Sequence, residues 1–183
     1  MRIIAGELKG RRLMTPSDYR VRPTTDKVKE AVFSMVAGYL PGSVVVDLFA
    51  GTGNLGLEAI SRGAARAYFV DKDRTSISMV RENVKHCKVE DRSVILWSDF
   101  KSVFKKINDK VDVIFLDPPY SAGYMEECFS IIAESEILEE DGIIVAEHSS
   151  AETLPEEMSG MVLIKSKRYG KISVSIYEKQ EAL

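Results

Sequence analysis

Short apolar runs alternate with helix-like stretches along most of this chain, and this alternation constrains its fold more than any other feature. β-branched apolar runs predict strands, and amphipathic stretches predict helices. Strands buried on both faces and joined through helices form parallel sheets. The predicted strands are residues 43–49, 67–70, 94–97, 111–116 and 142–147, and the predicted helices are residues 55–62, 74–86, 100–107 and 125–135.

The two ends of the chain depart from this alternation. Residues 2–13 predict two short strands around a glycine-containing turn, and residues 26–40 predict a helix. Residues 161–166 and 173–177 flank a turn, which indicates an antiparallel hairpin. The predicted fold class is therefore α/β, doubly wound, with a mostly parallel seven-stranded sheet and a small N-terminal extension made of a β-hairpin and a helix.

The length of 183 residues suits one structural domain. We expect residues 1–40 to pack as a basic extension on a core of residues 41–183. No apolar stretch approaches the ~20 residues that span a bilayer, and Cys87 and Cys128 form no CxxC pair. The sequence thus predicts a cytoplasmic protein with reduced thiols and no metal site, and nothing in it demands more than a monomer.

Charge is distributed unevenly along the chain, although the net charge is only -3. Residues 1–30 carry a net charge of +4 and residues 161–183 one of +3, whereas residues 31–160 carry -10. If the two ends meet in space, they form one positive face on an acidic body. Such a face attracts phosphates, and its affinity for them falls as the salt concentration rises. The alternative is a solvated surface with a chance asymmetry of charge.

A glycine-rich turn links the first core strand to the helix after it. Gly51, Gly53 and Gly56 fit the pattern G-x-G-x-x-G in this turn. Glycines there allow a tight turn and a close approach of the backbone to a ligand, and the helix N-terminus favours an anion. Asp71 ends the next strand, close to the spacing at which an acid binds ribose hydroxyls. The turn alone fits either NAD or S-adenosylmethionine.

Acidic residues at the strand ends favour S-adenosylmethionine. Asp47 directly precedes the glycines, where a carboxylate attracts a cationic amino group and repels a pyrophosphate. Asp99 follows the third core strand, in position to accept from an adenine amino group while Phe100 packs on the ring. The predicted cofactor-binding residues are Asp47, Phe49, Gly51, Gly53, Asp71, Asp99 and Phe100.

The fourth core strand runs into Asp117-Pro118-Pro119-Tyr120, the most informative tetrapeptide in the chain. Ligands of such sheets bind beyond the carboxyl ends of the strands, where this turn lies beside the glycine turn. The prolines fix φ and remove two N–H donors, so the turn presents the Asp117 carboxylate and the Pro118 carbonyl as acceptors, with an aromatic face from Tyr120. This set fits a flat base that carries an exocyclic amino group. Asp117, Pro118 and Tyr120 are the predicted catalytic residues.

Residues 47–56 and 117–120 together resemble the motifs of class I, Rossmann-like amino-group methyltransferases that use S-adenosylmethionine. Residues 2–6, 9–13, 22–25, 30–33 and 57–64 narrow the resemblance to the bacterial 16S rRNA guanine-N2 methyltransferase family of the RsmD type. The resemblance covers nearly the whole chain. It implies S-adenosylmethionine as cofactor, S-adenosylhomocysteine as product, and guanine 966 (ribosomal numbering) of 16S rRNA, within a 30S subunit or an assembly intermediate, as substrate.

The resemblance also implies roles for single residues. Asp47, Gly51 and Gly53 line the methionine end of the cofactor, Asp71 holds the ribose, and Asp99 holds the adenine amino group. The family usually carries glutamate where Asp71 stands, and Asp73 competes for this role. The residues expected to grip RNA phosphates are Arg2, Lys9, Arg11, Arg12, Arg22 and Lys27.

Other functions stay open at this point. A DNA adenine-N6 methyltransferase uses the same turn on a different base, although 183 residues leave little room for a target-recognition region. A non-catalytic RNA-binding assembly factor keeps the fold without the chemistry. A nicotinamide oxidoreductase shares the glycine turn, but the Asp-Pro-Pro-Tyr tetrapeptide argues against it.

Overall fold

The computed structural model describes residues 1–16, 25–119 and 123–180, which form an α/β fold around one eight-stranded sheet. The strands are β1 (Val44–Asp47), β2 (Arg66–Asp71), β3 (Ser93–Trp97), β4 (Val111–Leu116), β5 (Leu138–Ser149), β6 (Glu157–Met158), β7 (Met161–Tyr169) and β8 (Ile172–Lys179). The helices are α1 (Asp26–Met35), α2 (Asn54–Ser61), α3 (Arg74–Cys87), α4 (Phe100–Val103) and α5 (Tyr124–Ser135). Within these ranges, no helix has both the length and the apolar character needed to cross a membrane.

The strand order is β3-β2-β1-β4-β5-β8-β7-β6. Strands β1 to β5 are parallel, whereas β8 runs antiparallel to β5 and pairs with β7 in a hairpin. The direction of winding reverses between β1 and β4, and ligands of doubly wound sheets bind in the crevice at such a point. The predicted α/β, mostly parallel fold is confirmed.

An eighth strand is the main difference from the predicted sheet. β6 contains only Glu157 and Met158, which pair with the start of β7 at the sheet edge. Two residues are too few to produce the period-two pattern by which a strand is recognised in a sequence.

The ends of several elements also differ from the prediction. The predicted helix over residues 26–40 ends at Met35 and continues as a 3₁₀ turn (Ala37–Tyr39), in a stretch where Gly38 lowers helix propensity. α4 likewise ends after four residues and continues as a 3₁₀ turn (Phe104–Lys106). β5 begins at Leu138 rather than at residue 142, because Leu138 pairs with Val111 of β4 and the strand therefore includes the acidic residues 139–141, whose β-propensity is low.

The core has one layer on each face of the sheet. Successive strand residues point to opposite faces, so Val45 packs in the layer with α1, α2 and α3, and Val46 packs in the layer with α4 and α5. Val113 and Ile114 divide between the two layers in the same way. The strands are therefore apolar on both faces, which is why the sequence shows continuous rather than alternating apolar runs.

The N-terminal segment lies on the α1–α3 face. Ile3, Leu8 and Leu13 are buried in the same layer as these helices. The predicted hairpin is reduced to one antiparallel bridge between Arg2 and Arg12. Backbone hydrogen bonds still join its two arms, from Ile3 N–H to the Arg11 carbonyl at 2.9 Å and from Leu13 N–H to the Met1 carbonyl at 3.0 Å. Side chains of α2 accept from other backbone N–H groups of the segment, so its polar groups are satisfied by both kinds of partner.

A buried ionic network anchors this segment. The fully buried Glu58 carboxylate accepts from the backbone N–H groups of Ile4 (2.9 Å) and Ala5 (3.1 Å). The Lys29 ammonium lies 3.0 Å from Glu58 and the Arg62 Nε lies 2.9 Å from it. Burial lowers the pKa of Lys29, and the Glu58 charge opposes that shift. Glu58 therefore has cations and N–H donors around it, which offset the cost of burying its charge.

Candidate functional site

A cavity of about 530 Å³ opens at the carboxyl ends of β1, β2 and β4, at the point where the winding of the sheet reverses. The predicted site residues that line it are Asp47, Phe49, Gly51, Asp71, Phe100, Asp117 and Pro118. Residues from the glycine turn and from the Asp117 turn thus share one cavity. This proximity is the geometric basis of the site.

The glycine turn is held by the end of β2. Gly51 and Gly53 adopt positive φ values of 55° and 81°, which glycine accepts without strain. The Asp71 carboxylate accepts from Gly51 N–H at 2.9 Å. A Cβ at Gly56 would lie 2.4 Å from the ring of the buried Phe69. The first two glycines therefore shape the turn, whereas Gly56 permits close packing of α2 on the sheet.

Gly53 does not line the cavity. It stands at the N-terminus of α2 in the left-handed conformation, with the Phe69 ring 3.3 Å from where a Cβ would lie. The structure thus gives Gly53 a part in the turn and in packing, while its neighbours Thr52 and Asn54 reach the cavity.

Asp47 is a buried carboxyl at the floor of the site. Its side chain is 2% exposed and accepts from Gly56 N–H at 2.9 Å. Burial raises the pKa of Asp47 to about 7, the Gly56 hydrogen bond opposes the shift, and the Asp71 charge adds to it. A cation brought into this cavity would favour the ionised form of Asp47.

Asp71 and Asp73 both line the cavity, but their carboxylates accept hydrogen bonds from different parts of the backbone. Asp71 accepts from the backbone of Gly51 and, at 2.9 Å, from the N–H of Asp73. Asp73 caps α3 by accepting from Ser76 N–H at 2.8 Å. Asp71 thus joins two loops around the cavity, whereas Asp73 holds a helix end.

Three aromatic residues, Phe49, Phe100 and Tyr124, line the same cavity and form an aromatic wall. The ring centroids of Phe49 and Phe100 lie 5.4 Å apart, and those of Phe100 and Tyr124 lie 5.6 Å apart in an edge-on arrangement. Ser98 lines the cavity beside this wall. Asp99 does not line it, because its carboxylate turns to cap α4 and accepts from Lys101 N–H at 2.9 Å.

The Asp117 turn closes the other side of the cavity. Asp117, Pro118 and Pro119 follow β4 and line the cavity. Burial raises the pKa of Asp117 well above its usual value, and the charges of Glu147 and Asp47 act in the same direction. Tyr120, the third predicted catalytic residue, lies outside the described residues. The turn therefore brings a carboxyl that protonates easily to the cavity that the glycine turn shapes.

Comparison with known proteins agrees with this geometry. The family described as conserved hypothetical protein 95 matches residues 1–178. Ribosomal RNA small subunit methyltransferase D of Escherichia coli is 31% identical, with 98% of this chain and 90% of that protein covered. The Haemophilus influenzae protein of the same name is 34% identical, with 97% and 93% covered. This chain belongs to the RsmD family of methyltransferases.

Solved structures support the same family. The Escherichia coli protein yhhF superposes with a TM-score of 0.86 at 29% identity, over 98% of both chains. A Thermus thermophilus protein superposes with a TM-score of 0.83 at 25% identity, over 97% of this chain and 99% of its own. The RsmD fold therefore extends over nearly the whole chain.

The cavity of this RsmD-family protein is also lined by residues that were not identified from the sequence. Glu147, two residues before the end of β5, lines the cavity and is 8% exposed. Met1 and Ile172 line it from the two basic ends of the chain, and Tyr124 from the start of α5. Glu147 follows an apolar run, as Asp47 and Asp117 do, so a search for acids directly after apolar runs would have found it. The other three depend on chain segments that only the fold brings together.

Most basic residues predicted to bind RNA lie on the N-terminal segment and α1. Lys9, Arg12 and Lys27 are exposed. Arg2 is exposed and pairs with Asp26 at 2.9 Å, while Arg11 is half-buried and donates to the His86 carbonyl at 2.9 Å. Arg22 lies outside the described residues. Met1 and Ile172 both line the cavity, so both basic ends of the chain reach it.

Proposed function

We propose that this protein is an S-adenosylmethionine-dependent methyltransferase that modifies the exocyclic N2 amino group of a guanine in small-subunit rRNA, namely guanine 966 in ribosomal numbering. One observation carries the proposal: the glycine turn and the Asp117 turn line the same cavity. The names of the RsmD relatives support an rRNA substrate.

The cavity suits S-adenosylmethionine in size and in chemistry. Its volume of about 530 Å³ falls within the usual range for ligand sites. Its aromatic residues suit a purine, and its carboxyls suit ribose hydroxyls and a cationic amino group. We assign the methionine end to Asp47 and Gly51, the ribose to Asp71, and the adenine ring to Phe100.

The chemistry divides between cofactor and protein. S-adenosylmethionine, when bound, supplies a methyl group on a positively charged sulfur. The chain's own residues hold the base, since a guanine amino nitrogen is a weak nucleophile whose lone pair is delocalised into the ring. Asp117 and the Pro118 carbonyl are proposed to accept hydrogen bonds from that amino group and to free its lone pair. Positioning of the two reactants supplies much of the rate.

Asp117 also suits the role of proton acceptor. Its pKa is raised by burial and by the neighbouring carboxylates Glu147 and Asp47. A base acts best when its pKa approaches the working pH, so the shift makes Asp117 a stronger acceptor for the proton that the nitrogen loses. The target base must leave its stack to reach this turn, as it does in other base-modifying enzymes.

We assign RNA binding to exposed basic residues of the two chain ends. Lys9, Arg12 and Lys27 are exposed on the N-terminal side, and Lys171 is exposed beside Ile172 on the C-terminal side. Phosphate contacts position an RNA without reading its sequence. Unstacked loop bases are the usual targets of sequence-specific RNA readers.

The test uses methyl-labelled S-adenosylmethionine. Unmethylated 30S subunits, naked 16S rRNA and unmethylated DNA are each offered to the protein, and the labelled nucleoside is identified by mass spectrometry. N2-methylguanosine from subunits or from 16S rRNA is the expected product. N6-methyladenine in DNA would overturn the substrate assignment, and cofactor binding without label in any substrate would favour a non-catalytic RNA-binding protein.

A further inference from the structure

Glu147 occupies a position in the sheet equivalent to that of Asp117. β4 and β5 are parallel, and their last paired residues are Leu116 and Ala146. Asp117 and Glu147 each come one residue later, on the same face of the sheet as Phe115 and Val145. The two carboxyls therefore lie side by side just beyond the last paired residues of β4 and β5, which agrees with the effect of the Glu147 charge on Asp117.

Glu147 also stands between two cavities. It lines the large cavity, and it lines a second one of about 240 Å³. Pro118, Pro119 and Tyr124 line both cavities as well. The second cavity thus lies against the Asp117 turn, and Glu147 contributes to the wall shared with the large cavity.

The second cavity combines apolar surface with this one buried carboxyl. Leu154, Met158 and Met125 are buried apolar residues that line it. Two further acids that line it, Glu126 and Glu152, are exposed. A flat ring can pack against the apolar residues and the prolines. His148 also lines this cavity and is buried, but its ring nitrogens lie within hydrogen-bond distance of the Ser149 carbonyl (3.1 Å) and the Ser175 hydroxyl (2.9 Å). We therefore assign polar recognition in the interior to Glu147.

We propose that Glu147 selects guanine by accepting a hydrogen bond from the N1–H of the target base. The inference rests on the function proposed above. Guanine presents N1–H and the N2 amino group side by side on one edge, and two neighbouring carboxyls match these two donors. Adenine presents an acceptor at N1, which a carboxylate repels. Asp117 holds the reacting amino group, and Glu147 identifies the base that carries it.

The experiment compares guanine with 2-aminopurine at the target position. 2-Aminopurine keeps the 2-amino group but has an acceptor at N1 and no oxygen at position 6. Once the labelling assay has located the target, 30S particles are reconstituted with 16S rRNA that carries either base at that position. The rate of methyl transfer per unit substrate concentration, kcat/KM, is measured for each base.

The wild-type protein is expected to prefer guanine by about 100-fold, the size of one good base-edge recognition. Glu147→Gln is expected to reduce this preference to within about 5-fold, because a glutamine amide can donate to N1 of 2-aminopurine. Rescue of 2-aminopurine by this variant separates the N1 contact from the missing oxygen. Glu152→Gln, an exposed acid of the same cavity, is the matched control and is expected to keep the wild-type preference.

A wild-type protein that methylates both bases equally would overturn the proposal, and this result needs no variant. An unchanged preference in a folded Glu147→Gln variant would overturn it too. If that variant does not fold, Glu147→Asp, which keeps the carboxylate, is expected to retain the preference for guanine, and loss of the preference in it contradicts the proposal. A labelled nucleoside other than N2-methylguanosine would overturn the proposed function as well, so the two failures are distinguishable.

Discussion

Two groups of buried acids in this protein differ in their surroundings. Glu58 is surrounded by the cations of Lys29 and Arg62 and by two backbone N–H donors. Asp117 faces Glu147 and Asp47, which are also acids, and its pKa is raised. Glu58 is fully buried and Asp117 is half-buried at the cavity, and the two acids also differ in the charge of their neighbours. Glu58 has the surroundings of a structural ion pair, whereas Asp117 has those of a group prepared for a ligand and a proton.

The largest expected effect comes from removing the carboxyl of Asp117, the acid whose neighbours are also acids. Asp117→Ala should reduce methyl transfer by about 1,000-fold, the middle of the usual range for loss of a general base. RNA affinity should change little, because phosphate contacts dominate it. Labelled transfer to 30S subunits and filter binding of 16S rRNA measure the two quantities. Equal losses of both would mean that Asp117 acts through folding or binding rather than in the reaction.

For Glu58 we expect a loss of stability rather than a specific loss of methyl transfer. Glu58→Gln should lower the free energy of unfolding by about 3 to 5 kcal/mol, because it leaves the buried Lys29 ammonium without its counter-charge. Urea unfolding measures the change. Glu30→Gln removes an exposed partner of Arg62 and serves as the control, with an expected loss below about 1 kcal/mol. Similar losses in both variants would remove the distinction between the buried and the exposed partner.

Asp47, a second acid of the cavity, makes the stability of the protein depend on pH, which tests whether burial among acids costs free energy. Its pKa is about 7 in the folded protein and lower in the unfolded chain, so the folded state binds more protons between these values. Stability from this group is complete below the unfolded pKa and is lost as pH rises through about 7. Asp47→Asn should therefore be more stable than wild type at pH 8 by roughly 2 kcal/mol, less than the full shift implies because a buried amide also carries a desolvation cost.

Urea unfolding of both proteins at pH 5 and pH 8 measures this effect, and the difference between them isolates Asp47 from other titrating groups. The same variant should bind S-adenosylmethionine more weakly at pH 8, because it lacks the charge that attracts the cationic end. A difference in stability that does not vary with pH would contradict the raised pKa of Asp47.

The smallest effect is expected at the surface. Arg12→Ala should weaken binding of 16S rRNA modestly and reduce the slope of log affinity against log salt by about one. Lys105→Ala, an exposed cation after α4 on the other side of the sheet, is the control and should leave the slope unchanged. Arg11 is a poorer test because it also donates to the His86 carbonyl and holds the N-terminal segment. An unchanged slope in Arg12→Ala would exclude this residue from the RNA-binding surface.

Much of the fold was predictable because its signals are local. The parallel strands are continuous apolar runs, and β4 has the predicted bounds, Val111–Leu116. The glycine turn and the Asp117 turn were visible because backbone conformation at glycine and proline depends on a few adjacent residues. β6 and the true start of β5 were not predictable, since pairing with a neighbouring strand determines them more than their own residues do.

The sequence by itself determined which residue types stand at the strand ends: Asp47, Asp71 and Asp117 follow apolar runs, and this rule holds without knowledge of the fold. The tertiary structure decided which of them share a cavity, that Glu147 joins them, and that Asp99 turns away to cap α4. It also decided which buried acid meets cations and which meets acids. The physical reason is that burial and charge interactions depend on distance in space, and strand order, which the sequence does not state directly, determines those distances.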